Sequence, residues 1–269
     1  MGQPDIRAGR AGRSLRTLAS LLVPVVCSAL LSGCATARSE FSVPSGEPWR
    51  QSLASALRDP DTWIPAAAAL AFAAAGADDS VSDWASEKTP IFGSIRRADN
   101  ASDELKGATH VLMFASAIPP LGSHARLERF AVTAFEQEAI VVTTGAVTRV
   151  AKQAAGRERP DASNTHAFPS GHSSGSAATS ALARENLERS AIPERWHPAV
   201  RITSRVLHGA TAWARIEAAK HHPTDVLVGS ALGNLLAVTI DRAVRDGTEV
   251  EVTIAPSREG VFFSARMRF

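Results

Sequence analysis

The stretch FPSGHSSGSA, residues 168–177, sets a histidine inside a turn built from one proline, two glycines and four serines. Pro169 restricts Phe168 to extended backbone, and Ser170 is a good N-cap. The spacing predicts a helix that begins at Gly171 or His172. The first amides of a helix have no intrahelical partner, so its start attracts an anion. Gly171 has no side chain to hold an oxyanion away from the backbone, and His172 would stand beside that anion with a proton to give. Alone, the stretch is equally a helix cap carrying an incidental histidine.

Working outward, helical character covers residues 62–76, 104–118, 127–153, 173–189, 198–219 and 224–245. Clusters such as RADNASD and GRERPDASNT mark the expected loops. The apolar runs are roughly fifteen residues long, short of the ~20 that a membrane span needs. A soluble all-α bundle is therefore expected. After Gly247 the pattern changes. Val250, Val252 and Ile254 alternate with polar residues, a Pro-Ser-Arg-Glu-Gly turn follows, and Val261, Phe263, Ala265, Met267 and Phe269 alternate again. That reads as a small C-terminal β-hairpin. One hairpin cannot close a barrel, so docking on the helical domain is expected. The organisation expected is a leader at 1–33, a tether at 34–51, a helical domain at 52–247 and the hairpin at 248–269.

The leader carries Arg7, Arg10, Arg13 and Arg16 ahead of the apolar run TLASLLVPVVCSALLSG, the layout of a secretory signal. Its end, Leu31-Ser32-Gly33-Cys34, resembles the lipobox of bacterial lipoproteins, which implies cleavage before Cys34 and lipidation of that residue. An ordinary membrane anchor is the plainer reading. The leader holds net +3 of the whole chain's +2, so the remainder is slightly acidic and has no basic footprint for nucleic acid. Of the two cysteines, Cys27 would leave with the signal and Cys34 would be acylated, so no disulfide or thiolate metal site is expected. Ala35, in place of an aspartate, points to the outer membrane and a domain facing the periplasm.

Two further motifs carry charge. In KQAAGRERP, Lys152 and Arg159 are seven apart and share a face if the helix runs on; Pro160 marks the exit. A solvated basic helix end would look the same. The chain has only four lysines among its 29 basic residues, so Lys152 is not its default cation. In ARIEAAKHHPTDVLVG, Pro223 suits a helix start, with His221 just before it and Asp225 in its first turn. A carboxylate four residues after an imidazole can accept its Nδ1 proton and leave Nε2 bare as nucleophile or base. Arg215 could supply a phosphate fork. Alone this too could be a capping pair.

Taken together, Lys152-(six residues)-Arg159-Pro160, then Pro169-Ser170-Gly171-His172, then Arg215-(five residues)-His221-(three residues)-Asp225 resembles the signature of the type 2 phosphatidic acid phosphatase superfamily. That superfamily also holds class A bacterial acid phosphatases and vanadium haloperoxidases. The resemblance implies an all-α helical bundle of the phosphatidic acid phosphatase/haloperoxidase type. It implies Lys152, Arg159 and Arg215 as a cationic clamp on phosphoryl oxygens, with Ser170 and Gly171 lining the same site. It implies His221 as the nucleophile that becomes phosphohistidine, Asp225 as the holder of its tautomer, and His172 as the general acid. Two departures stand out: Ala214 occupies a place where the family usually has serine, and the loop between Pro160 and Pro169 is short.

The activity implied is hydrolysis of phosphomonoesters or pyrophosphates, on a lipid phosphate or a small soluble ester, without a metal or other cofactor. Rival readings are a vanadate-dependent haloperoxidase and a catalytically idle, lipid-anchored envelope protein. His222 is expected to pack or rim the pocket, and His166 lies close enough in sequence to reach substrate. His110, His124, His197 and His208 read as structural. No cluster of His, Glu and Asp has metal-ligand spacing, and no glycine-rich nucleotide loop is present.

Overall fold

The computed structural model describes residues 37–40, 46–120, 126–245, 250–257 and 260–267. The lipobox and Cys34 lie outside the described residues. Helices α1 (Gly46–Arg58), α2 (Pro60–Ala75), α3 (Asp78–Lys88), α4 (Ile95–Ser116), α5 (Arg126–Ala155), α6 (Gly171–Glu185), α7 (His197–Glu217) and α8 (Pro223–Arg245) form a bundle. Strands β1 (Ala37–Glu40), β2 (Val250–Ser257) and β3 (Gly260–Met267) form an antiparallel sheet in the order β1-β2-β3. β2 and β3 pair from Val250↔Met267 to Ser257↔Gly260, and β1 pairs with β2 from Ala37↔Ile254 to Glu40↔Glu251.

At the centre lies α6, with α4, α5, α7 and α8 around it. Every residue from Ser173 to Arg184 is buried. Its sequence is nearly all Ser, Gly, Ala and Thr, and such short side chains let neighbouring helices approach closely. On α8 the closest approach needs glycine. A Cβ on Gly229 would stand 2.6 Å from the Ser170 carbonyl oxygen, and one on Gly233 would stand 2.1 Å from the Ser174 carbonyl oxygen. Glycines one helical turn apart therefore seat the first turn of α6 against α8. Apolar packing around them is correspondingly small-grained: Ala56, Met113, Ile140, Ala178, Leu182, Ala237 and Val238 make one core cluster, and Ala85, Ile216 and Val226 another.

Three expectations change. RADNASD is not a loop: Ser94 caps α4 by accepting the Arg97 amide, so residues 97–103 are helical. The cap offsets the weak helix propensity of Asp and Asn there. α5 stops at Ala155, where Gly156 takes φ +57 and its amide bonds back to the Lys152 carbonyl at 3.1 Å. Arg159 is thus on a loop, not on the helix face shared with Lys152. Finally, α1 begins at Gly46, inside the stretch read as a tether.

Among the described residues, α8 alone is long and apolar enough to cross a membrane by length and composition, and 67% of that window is buried in the bundle. The bent pair α2 and α3, at 101° to each other, passes the same test jointly.

Candidate active site

The first turn of α6 begins as its sequence requires. Ser170 is the N-cap, fully buried, and its Oγ accepts the Ser173 amide at 3.4 Å. Phe168–Pro169 is a cis peptide. The Ser170 amide donates to the Asp225 carbonyl at 2.8 Å, which ties the starts of α6 and α8 together. Two helix N-termini, and the motifs they carry, are thereby brought side by side.

Cations gather at this point from three directions. Lys152, in the last turn of α5, runs past Gly171, where a Cβ would meet its Cε at 3.6 Å. Its Nζ donates to the His166 carbonyl at 2.7 Å. Burial first, and then the charges of Arg159 and Arg215, push its ammonium down to about 8 against the pull of Asp225. Arg159 reaches the same place from the loop, held by its amide bonding to the Asn164 carbonyl at 3.0 Å. Arg215, on α7 and 5% exposed, donates from Nη1 to Asp99 at 2.5 Å and to Ser102 Oγ at 2.9 Å. Placing like charges together is costly without an anion between them.

The two imidazoles differ in their partners. His221, 2% exposed, has Nδ1 3.7 Å from Asp225 Oδ2, an electrostatic contact longer than a hydrogen bond. Asp225 is spent elsewhere as well. Its Oδ2 accepts the His222 amide at 2.8 Å and lies 3.2 Å from His222 Nδ1, while Oδ1 accepts Arg157 at 2.9 Å. His222, expected to pack or rim the pocket, shares the carboxylate with His221. Burial would raise the Asp225 carboxyl, but the His221 and His222 contacts and the Arg157 charge hold it well below the usual range. His221 is pushed down to about 4 by burial, with Lys152 and Arg215 adding to the effect and Asp225 opposing it.

His172 pairs through Nε2 with Asp103 Oδ1 at 2.9 Å. Burial, Arg215 and Lys106 bring it to about 4, again against the carboxylate. Arg215 acts electrostatically on Lys106, Lys152, His172 and His221 alike, so these groups surround one space. Among the described residues, the buried side-chain nitrogens without a hydrogen-bond partner are Arg159 Nε, Arg215 Nε and His221 Nδ1. All three belong to this space. Chemically the arrangement suits a tetrahedral oxyanion with acceptor oxygens for the guanidinium groups.

The eight residues singled out in the three motifs thus converge, although Arg159 and Asp225 do so with geometry the spacing did not foresee. Missed altogether were Asp99, Ser102, Asp103 and Lys106 on α4, which the loop reading of RADNASD concealed. Their spacing of three, four and seven is a helical stripe, and Lys106 is one of only four lysines. Also missed was Arg157, which joins Asp225 to Asp78 at the start of α3, with 2.9 Å to each carboxylate. His166 contributes its carbonyl and leaves its side chain exposed. Among the described residues no group of three or more His, Cys, Asp or Glu could hold a metal ion.

Comparison with known proteins agrees with this architecture. A crystal structure described as the first transmembrane PAP2 type phosphatidylglycerolphosphate phosphatase from Bacillus subtilis superposes with a TM-score of 0.50. It is 19% identical and covers 66% of this chain and 91% of its own. No curated protein sequence matches the chain significantly. The PAP2 superfamily model matches residues 138–248, which include Lys152, Arg159, His172, Arg215, His221 and Asp225. Over that segment the chain resembles the PAP2 superfamily, and the superposition shows that it shares the helical fold.

Proposed function

We propose that the chain is a phosphatase that hydrolyses phosphomonoesters or pyrophosphates through a phosphohistidine on His221, using side-chain cations in place of a metal. The observation that carries this reading is the pair of buried guanidinium nitrogens beside His221, Arg159 Nε and Arg215 Nε, that have no hydrogen-bond partner. A buried donor with no acceptor costs about 1–3 kcal/mol, and phosphoryl oxygens supply acceptors. Lys152, Arg159 and Arg215 would spread over the equatorial oxygens, with the Gly171 region of α6 beside them. Charge on those oxygens is what a phosphoryl transition state presents, so fixed cations lower its energy most. Nε2 of His221 would attack phosphorus, and His172 would protonate the departing oxygen. Water would then release phosphate from the phosphohistidine with His172 accepting its proton.

The setting we propose is a bilayer surface: a lipid on Cys34 would tether the domain on the periplasmic side, at the outer membrane. Exposed apolar side chains support a membrane-facing placement. Trp63, Ile64 and Leu70 stand out on α2, and Phe135, Val142 and Val150 on α5. Such a position favours lipid phosphates as substrates while leaving small esters accessible.

The test is release of inorganic phosphate across a panel of soluble and lipid phosphates, with and without chelator, joined to rapid quench with labelled substrate. A label that is acid-labile and alkali-stable is expected on the wild type and absent from His221→Ala. Turnover by His221→Ala at near the wild-type rate would remove the nucleophile assignment.

A further inference from the structure

α4 presents Asp99, Ser102, Asp103 and Lys106 along one stripe, and the stripe meets Arg215 and His172. Asp99 and Ser102 hold Arg215. Asp103 lies against His172 Nε2 at 2.9 Å. Lys106 passes Gly175, one turn beyond His172, where a Cβ would come 3.1 Å from its Cε. The missing side chain at Gly175 makes room for that lysine.

We infer that Asp103 is a positioning residue for the proton donor: it accepts the Nε2 proton of His172 and thereby makes Nδ1 the atom that gives and takes the proton at the phosphorus. This rests on the phosphatase reading above. In the first step Nε2 of His221 bonds to phosphorus, the bond from phosphorus to the leaving oxygen breaks, and the Nδ1 proton of His172 moves to that oxygen. His172 is then neutral, with its remaining proton on Nε2 held by Asp103. In the second step water bonds to phosphorus and hands a proton to Nδ1, the phosphorus–nitrogen bond breaks, and phosphate leaves. Without Asp103 the neutral ring could settle with its proton on Nδ1, which cannot then accept one from water.

Every neighbouring helix contributes charge near this ring. Asp103 and Lys106 come from α4, Lys152 from α5, Arg215 from α7, and His221 with Asp225 from the start of α8. Asp103 favours the imidazolium, whereas Lys106 and Arg215 oppose it. Neutralising Asp103 and neutralising Lys106 should therefore move His172 in opposite directions. General loosening of the site has no reason to do that.

The experiment combines an NMR titration of the His172 ring, assigned with His172→Gln, and pH profiles of turnover for wild type, Asp103→Asn and Lys106→Met. Turnover is read with p-nitrophenyl phosphate and with an alkyl phosphate, whose leaving group needs the acid. We expect Asp103→Asn to lower the His172 midpoint by about one pH unit or more and Lys106→Met to raise it. The basic limb of kcat/KM should follow each shift. Asp103→Asn should slow the alkyl ester by at least ~10-fold more than the nitrophenyl ester, given the size of acid catalysis. Midpoints that stay put, or that move the same way in both variants, overturn the role of Asp103, as does equal slowing of both esters. A wild type that releases phosphate from neither ester overturns the phosphatase reading itself, and the proton-transfer role with it.

Discussion

Replacing Arg159 by methionine should make the empty protein more stable and the phosphate-bound protein less so. Arg159 Nε is buried without a partner, and its charge already disfavours the neighbouring Lys152 and Arg215. Losing an unsatisfied buried donor relieves about 1–3 kcal/mol, and methionine keeps most of the apolar stem. Lost packing and loop contacts offset part of this, leaving a gain on the order of 1 kcal/mol, or about 2–4 °C in Tm for a domain of this size. Binding should suffer, because a hydrogen bond to a charged group contributes about 1.5–3 kcal/mol. That is roughly a 10- to 100-fold weaker affinity for inorganic phosphate. Scanning calorimetry across a phosphate titration reads both effects. At 100 times its Kd, phosphate should stabilise the wild type by about 2.7 kcal/mol, and the same concentration should stabilise Arg159→Met by about 0.4–1.4 kcal/mol. A variant that melts lower than wild type without phosphate, yet keeps the full phosphate response, would refute an anion site strained by unpaired donors.

Two further outcomes follow from other parts of the molecule. Gly233→Ala drives a Cβ into the Ser174 backbone, which stands 2.1 Å away at its carbonyl oxygen; overpacking of this kind costs about 1–3 kcal/mol. Denaturant titration should show that loss, and activity should fall with it because Ser174 lies one turn from Ser170; unchanged stability would mean that α6 and α8 are spaced more widely. For pH, His221 must be bare to attack and sits near 4 in the free protein, while His172 must be protonated and also sits near 4. kcat/KM should therefore rise through about pH 4 as His221 loses its proton and fall above it as His172 does, giving an acidic optimum. The basic limb of kcat should lie at higher pH, since a bound anion favours the imidazolium. A kcat/KM that climbs steadily to pH 8 would exclude His172 as the acid.

Some of this was legible before any folding. Ser170 as a cap, Pro223 as a helix start and the extents of α5, α7 and α8 follow from local chemistry: capping oxygens, the proline ring and apolar periodicity act within a turn or two of chain. The motif residues were legible only through their joint resemblance to a family signature, since each motif alone reads equally as a helix cap or a solvated helix end. RADNASD misled because its composition favours a loop, whereas the helix is capped three residues earlier by Ser94 and runs through it. That error concealed the whole α4 stripe.

What the chain alone determined, then, is which residues could touch a phosphate and where most helices begin. Only the tertiary structure decided that Arg159 arrives from a loop, that His222 and Arg157 compete with His221 for Asp225, and that Asp103 rather than any motif residue holds His172. The physical reason is range. Caps and periodicity are settled by neighbours a few residues away, whereas partners 69 positions apart, as His172 and Asp103 are, meet only because the small residues of α6 let four helices close around it.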